Sequence, residues 1–337
     1  MKRWGIPASW TRHLFGLAEA AAFLGGVATC LAAIGPHHWA TDIFTHFAQI
    51  LTRCFFLYAA IEAIRRRWWR VLVSLIAAVL NAIPILILLL APDPLQPDRT
   101  APSPEAQTLR ILQANILTDN SRAEALIALI EREDPDVILL QETDSRWLAD
   151  LQPIHARYPI RAAEPREDNF GIAVFAKNPL AKGEIFHLRQ VRRVPGGRIL
   201  LPVAGQTLAC YSIHTPAPYD RHTWNERNTY TRHLAERLAQ DPELKVVTGD
   251  FNNTPWSLTF RGLVRLAGVC DTSRTFGLLP TWPVRTLPFL RIPLDHCLHS
   301  PEVKILRKRR GPSIGSDHFP LIIDLAVEPP TPSGAQP

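Results

Sequence analysis

The sequence predicts a layered α/β domain carried behind a membrane-embedded helical region. Three observations predict it. Apolar residues crowd ahead of Ala91, although mean hydropathy over the 337 residues is near zero. After about Thr108, short apolar runs alternate with amphipathic helical patterns. Residues rich in Asp, Asn, Glu and His stand at the ends of those runs.

The membrane part comes first. Leu14–Ile34 is an apolar run long enough to span a bilayer, with Glu19 as its one acid. Phe44–Ile64 is a weaker span, interrupted by His46, Gln49 and Arg53, which a shorter, tilted or snorkelling helix accommodates. Val71–Ala91 is the clearest, broken only by Asn81 and Pro84. A cleaved signal peptide is the rival reading of the first run, and the two apolar segments that follow argue against it. Lys2, Arg3 and Arg12 precede the first span, and Arg65, Arg66, Arg67 and Arg70 separate the second from the third. The positive-inside rule puts both flanks in the cytoplasm, so three spans leave everything after Ala91 on the extracytoplasmic side of the cell (inner) membrane. If the second segment only lies on the surface, that part stays cytoplasmic. Trp68 and Trp69 suit an interfacial aromatic belt. Pro92, Pro94, Pro97, Pro102 and Pro104 mark a stiff linker over residues 92–107, reaching ~50 Å at most at ~3.1 Å per residue.

Residues 108–327 form the soluble domain. Leu109–Ile116 reads as a strand, and Ser121 caps a helix running to Glu133 with Ala125, Leu126, Leu129 and Ile130 inward. Asp136–Gln141, Gly171–Ala176, Arg198–Val203 and Leu208–His214 read as strands, and His222–Gln240 as an amphipathic helix. The run Val246-Val247 ends a buried strand, and Gly249 allows a sharp turn that presents Asp250 and Asn252. Thr254-Pro255 caps a helix near Trp256–Leu266. A strand leads into Asp295-His296, and Phe319–Leu325 is the last. Fully apolar strands belong to sheets covered on both faces. The Pro-rich tail 328–337 is expected to be disordered.

Charge and cysteine usage narrow the function. Eight basic and three acidic residues precede Ala91, leaving 29 of the 37 basic and 28 of the 31 acidic residues behind it. The pI of about 9.3 therefore reports membrane flanks rather than a nucleic-acid footprint. Cys30, Cys54, Cys210, Cys270 and Cys297 form no CxxC pair, which argues against a zinc or redox centre.

Asn115, Gln141-Glu142, His214, Asp250/Asn252, Asp295 and Asp317-His318 each close an apolar run. One such terminus is ordinary, and an Asx turn alone accounts for Asp250 and Asn252. Six suggest one convergent pocket. The stretches Ile111–Asn115, Leu139–Glu142, Ser212–Thr215, Gly249–Asn252, Leu294–His296 and Gly315–Leu321 resemble, in order, the endonuclease/exonuclease/phosphatase superfamily of Mg²⁺-dependent phosphoesterases. The membrane part and Asn253–Trp256 are similar to its bacterial membrane-anchored branch, which includes proteins linked to glycopeptide resistance. The resemblance implies a four-layer sandwich, two packed β-sheets flanked by helices.

It also implies roles. Glu142 is the principal ligand of Mg²⁺, with Mn²⁺ as substitute, supported by Asn115 and Asp317. Asp250 orients or deprotonates the attacking water, and Asn252 donates to a phosphoryl oxygen. His318, oriented by Asp295, contacts the phosphate, with His214 a second donor. Asn169, Trp256 and Arg193 are weaker substrate-binding candidates. His296 is read as structural, and Trp256 and Trp282 as cleft lining or core. Arg189, Arg192, Arg193 and Arg198, and Lys304 with Arg307–Arg310, are solvated faces or contacts to anionic head groups. The expected function is a membrane-tethered phosphoesterase acting on a membrane-borne phosphate ester or diester. A nuclease cleaving DNA or RNA and a catalytically silent binding module are the alternatives.

Overall fold

The computed structural model describes residues 8–91, 95, 100–191 and 193–330. Lys2, Arg3, most of the proline linker, Arg192 and the tail 331–337 lie outside the described residues. The chain divides into two compact units, Met1–Leu90 and Ala91–Pro337.

The first unit is helical: α1 (Ala8–Ile34), α2 (Trp39–His46), α3 (Ala48–Ile64) and α4 (Trp68–Leu90). His13–Ile34 and Trp68–Leu90 are each long and apolar enough to cross a membrane. The expected second span is not one straight helix. It breaks at Phe47 into α2 and α3, which meet at a 60° bend. Asp42 and His46 of α2 are paired at 3.5 Å and buried within the unit, whereas Arg53 of α3 is exposed. Glu19 of α1 meets Arg65 and Arg67 at 3.5 and 2.9 Å, and also hydrogen-bonds Arg70. Asn81 of α4 donates to Thr29 of α1 at 2.8 Å. These two contacts fix α1 and α4 as parallel. Thr52 reaches the Ala78 carbonyl at 3.5 Å, so α3 returns antiparallel between the ends they define.

The second unit begins with β1 (Gln107–Asn115), α5 (Ala123–Glu133), β2 (Val137–Gln141), α6 (Ser145–Asp150), β3 (Ile160–Glu164), β4 (Ile172–Ala176), β5 (Lys182–His187), β6 (Pro195–Val203) and β7 (Gln206–His214). It continues with α7 (Arg221–Gln240), β8 (Leu244–Asp250), α8 (Leu258–Ala267), β9 (Cys270–Asp271), α9 (Thr272–Phe276), β10 (Asp295–His299), β11 (Val303–Arg310) and β12 (Leu321–Val327). Two six-stranded sheets result, in orders β11-β12-β1-β2-β4-β3 and β5-β6-β7-β8-β10-β9. Their facing sides share one core of alternate residues, among them Ile111, Leu139, Val174, Cys210, Val246 and Ile323. The opposite face of the first sheet packs on α5 and α6 through Leu126, Leu129, Trp147 and Ile138. The opposite face of the second packs on α7 and α8 through Leu234, Phe260, Val247 and Leu298. This is the four-layer sandwich the sequence predicts. Cys210 and Cys297 are buried, unbridged thiols.

Two helix starts differ from expectation. α5 starts without a side-chain cap, and Asn120 rather than Ser121 accepts from the turn, at Arg122 N, 3.1 Å. α8 is capped by Ser257, whose Oγ accepts from Phe260 N at 3.2 Å, because Thr254 is buried in the preceding turn. Asp220 and Thr223 form a reciprocal box at the start of α7.

Candidate active site

The inter-sheet face supplies the site at one end of the sandwich. Asn115 continues the inward row of Ile111, and His214 that of Cys210. Asp250 does the same for Val246. In register, His214 stands beside Asp250, and Asp250 beside Asp295, across three neighbouring strands. On the facing sheet Asn115 stands beside Gln141. Asp295 and Asp317-His318 open their strands rather than close them. Both β10 and β12 run antiparallel to their neighbours β8 and β1, so their N-terminal ends reach the same rim.

Side-chain contacts draw the row together. Asn115 Nδ2 donates to Glu142 Oε1 at 2.8 Å and to Asp250 Oδ2 at 3.1 Å. Its Oδ1 accepts from Leu117 N at 3.1 Å, so Asn115 bridges two carboxylates as a donor. His214 Nε2 lies 3.8 Å from Glu142 and 3.7 Å from Asp250. His318 Nε2 lies 3.5 Å from Asp250, and its Nδ1 meets Asp295 at 2.8 Å. Asp317 accepts from Trp282 Nε1 at 3.0 Å. Asn252 donates Nδ2 to the Thr215 carbonyl and its backbone N–H to Asp250 Oδ1, both at 2.8 Å, so one amide hydrogen braces the loop.

The weaker candidates fall differently. Asn169 is exposed with φ of 65°, and its main chain lies beside His214. The neighbouring Phe170 ring packs on His214 at 5.4 Å, and Arg193 stacks over Phe170 at 4.9 Å while forking onto Glu226. Trp256 is buried. His296 faces away from Asp295, touches Phe260 and binds the Asn253 carbonyl at 2.7 Å.

Burial governs the charges. It pushes Asp250 up to about 6, against the pull of His318. It raises Glu142 too, opposed by the Asn115 hydrogen bond and His318. It holds the His214 imidazole below its ordinary value. Burial also disfavours His318 as a cation, yet Asp295 and Asp250 together raise it to about 10. For Asp295, burial is outweighed by His318, and its carboxyl sits below the usual range. The site therefore holds one imidazolium among carboxylates and one neutral imidazole.

Backbone strain marks the same place. Glu142 has φ of 61° and Asn252 φ of 43°, left-handed conformations that cost a non-glycine residue roughly 1–3 kcal/mol. Gly249 has φ of 149°, and a Cβ there would stand 1.9 Å from the Ile213 carbonyl oxygen. At Gly171 a Cβ would stand 1.7 Å from the oxygen of Thr143, the residue after Glu142. Gly249→Ala should lower Tm by roughly 10 °C, since forcing the β7–β8 approach apart costs about 3 kcal/mol; a thermal melt of the full chain checks it.

Sequence reading picked out Gln141 but missed the rest of the supporting shell. Gln113 Nε2 donates to Gln141 Oε1 at 2.7 Å and to Asp295 Oδ1 at 3.0 Å. Gln141 donates to Ser212 at 2.6 Å, Ser316 donates to the Asn115 carbonyl at 2.7 Å, and Thr281 Oγ1 accepts from Asp295 N at 3.3 Å. A signal was present. Gln113, Ser212 and Thr248 each lie two residues before a site residue, on the same strand face.

A sequence model of the endonuclease/exonuclease/phosphatase family matches residues 112–318. The chain belongs to this family. It is a metal-dependent phosphoester hydrolase by class. No functionally curated protein matches the sequence. D. rerio TDP2 complexed with a single-strand DNA product aligns at TM-score 0.55 and 20% identity, covering 65% of this chain and 99% of that one. A family protein from Bacteroides vulgatus aligns at TM-score 0.55 and 17% identity, covering 66% and 100%. A third, from Bacteroides thetaiotaomicron, aligns at 0.54 and 17%, covering 66% and 99%.

The family's divalent ion suits the residues present. Among the described residues, no group of three or more His, Cys, Asp and Glu gathers to chelate a metal. A hard cation that keeps its waters needs only one or two carboxylates. Glu142 and Asp250 are buried carboxylates sharing one amide donor, both raised by burial, and a cation beside them relieves that cost.

Proposed function

We propose that the chain is a membrane-tethered, Mg²⁺-dependent phosphoesterase hydrolysing the phosphate ester or diester of a membrane-associated substrate. The observation that carries the hydrolytic reading is the pairing of Asp250 with His318 at 3.5 Å, beside the shared Asn115 donor to Glu142.

Glu142, with Asp317 across the cleft, would hold the ion, which neutralises phosphoryl oxygens and steadies the leaving group. Asp250 takes a proton from the attacking water, a task suited to a carboxylate raised toward neutrality. His318 donates to a phosphoryl oxygen, and Asp295 fixes its tautomer and preserves its charge. His214, kept neutral, supplies a second contact on the phosphate side. Asn115 spaces the two carboxylates, and Asn252 shapes the loop that carries Asp250.

Tethering is supported by the first unit. Parallel α1 and α4 with α3 returning between them favour an odd number of crossings. The Arg65–Arg70 turn then shares the cytoplasmic side with the start of α1, and the catalytic unit lies beyond the membrane. Residues 1–91 would be the membrane region, 92–107 the linker and 108–327 the catalytic domain.

A nuclease is the second reading, favoured by the DNA product held by the TDP2 neighbour. The basic clusters give it little support. Arg193 pairs with Glu226, Arg198 with Asp241, Lys304 with Glu328 and Arg309 with Glu133, while Lys308 is buried on Thr272. The test is full-length protein in detergent, assayed with Mg²⁺ on bis(p-nitrophenyl) phosphate, lipid phosphates and single-stranded DNA. Chelation with EDTA should abolish turnover and Mg²⁺ restore it. No turnover with any divalent metal would leave the silent binding module.

A further inference from the structure

The loop from β7 to α7 carries a side chain to which the hydrolytic reading gives no part. Only Pro216-Ala217-Pro218-Tyr219 separate Thr215, next to His214, from Asp220, the cap of α7. Thr215 is buried and stapled to the loop that carries Asp250. Its N–H donates to the Asp250 carbonyl at 3.0 Å and its hydroxyl to the Phe251 carbonyl, while its own carbonyl accepts from Asn252 Nδ2 at 2.8 Å. At the other end Asp220 and Thr223 close their reciprocal box. Two prolines, each with φ fixed at about −65°, leave the short span little freedom. Within it Tyr219 N donates to the Ala217 carbonyl at 2.9 Å. The loop is a stiff arch with one foot on the backbone of Asp250.

Tyr219 is the aromatic that this arch presents. It is 82% exposed, and no other large hydrophobic side chain described in the second unit is more so. Among the described residues, nothing bonds its hydroxyl. The hydroxyl is nevertheless close to the site. The surrounding protein strips part of its water, and the charges of Asp250, Asp317 and Glu142 reach it, so the phenol is held above its ordinary value. Asp250 ends β8 of one sheet, whereas Glu142 follows β2 and Asp317 precedes β12 of the other. A group that feels all three stands over the opening between the sheets.

The chemistry of that position is specific. Ordering a rim loop around a ring that packs on nothing costs entropy and returns little to the fold. A phosphate ester entering among carboxylates needs donors, and a neutral O–H answers an anionic oxygen without bringing a further charge. The same carboxylates keep the proton on the phenol through the neutral range, so the donor is always armed. We propose that Tyr219 is a substrate-contacting residue, its hydroxyl donating to a phosphoryl oxygen of the ester and its ring covering the group esterified to that phosphate. The proposal rests on the hydrolytic reading of the site and adds a binding residue to it.

The test uses the full chain in detergent, with 3-fluorotyrosine in place of its five tyrosines and fluorine NMR as the readout. Tyr219→Phe identifies the Tyr219 resonance by its loss. In saturating Mg²⁺, added inorganic phosphate should shift that resonance with the midpoint at which it inhibits hydrolysis of bis(p-nitrophenyl) phosphate. The resonances of the buried Tyr158 and Tyr230 should stay in place. Tyr219→Phe should raise KM for the same diester about tenfold, leave kcat within about twofold and leave Tm unchanged. An unmoved Tyr219 resonance under inhibiting phosphate overturns the proposal and spares the hydrolytic reading, as does a variant with the KM of the wild type. A saturable shift in a chain that hydrolyses nothing keeps the contact and removes the reaction. Neither shift nor turnover removes both.

Discussion

Asp250→Asn should lower kcat about a thousandfold while raising thermal stability. The two effects have one origin. Asp250 is buried at 1% exposure, and burial pushes its carboxyl up to about 6. An acid whose folded value exceeds its unfolded one costs stability above that folded value; the cost fades as pH falls from about 6 toward the ordinary carboxylate range. The amide removes the charge, keeps an acceptor for Asn252 N and cannot take a proton from water. Wild-type rate with Mg²⁺ should climb with pH along an acid limb below the metal-free value of about 6, since a cation nearby eases the burial that raises Asp250, and that limb should vanish in the variant. Steady-state rates from pH 5 to 8 on bis(p-nitrophenyl) phosphate, with a melt at each pH, check both. A variant that loses stability with its activity would mean Asp250 serves the fold first.

Asp295→Asn should cost about a hundredfold in kcat and move the alkaline limb downward. Asp295 meets His318 at 2.8 Å and, with Asp250, holds the imidazole charged up to about 10. The stability this cation contributes is fully present below the ordinary histidine value and is lost as pH rises toward about 10. With the amide in place His318 discharges earlier, so both the rate and the alkaline part of the stability profile fall at lower pH. Gln113 loses its charged acceptor across the sheets, but Gln141 still donates to Ser212 of the facing sheet, so the sheets should stay docked. Denaturant melts between pH 6 and 10 separate the two profiles. Coincident profiles would remove Asp295 from the control of His318.

Much of this site was legible because apolar runs end where the sandwich ends. Asn115, Glu142, His214 and Asp250 each follow a buried strand, so sequence order alone grouped them. The direction of β10 and β12 was not legible: an antiparallel strand puts its first residue where a parallel one puts its last. Edge strands were missed for another reason. Lys182–His187 and Val303–Arg310 are half-exposed and charged, so they carry neither an apolar run nor clean alternation. The bend at Phe47 was equally silent, because hydropathy weighs Asp42 and His46 as interruptions and cannot see them pair.

The polar chain from Ser212 through Gln141 and Gln113 to Asp295 passes from one sheet to the other and back. Neither sheet alone therefore owns a working constellation. During refolding, hydrolysis should return no sooner than the two halves of the sandwich clasp, and recovered turnover becomes a clock for that last step.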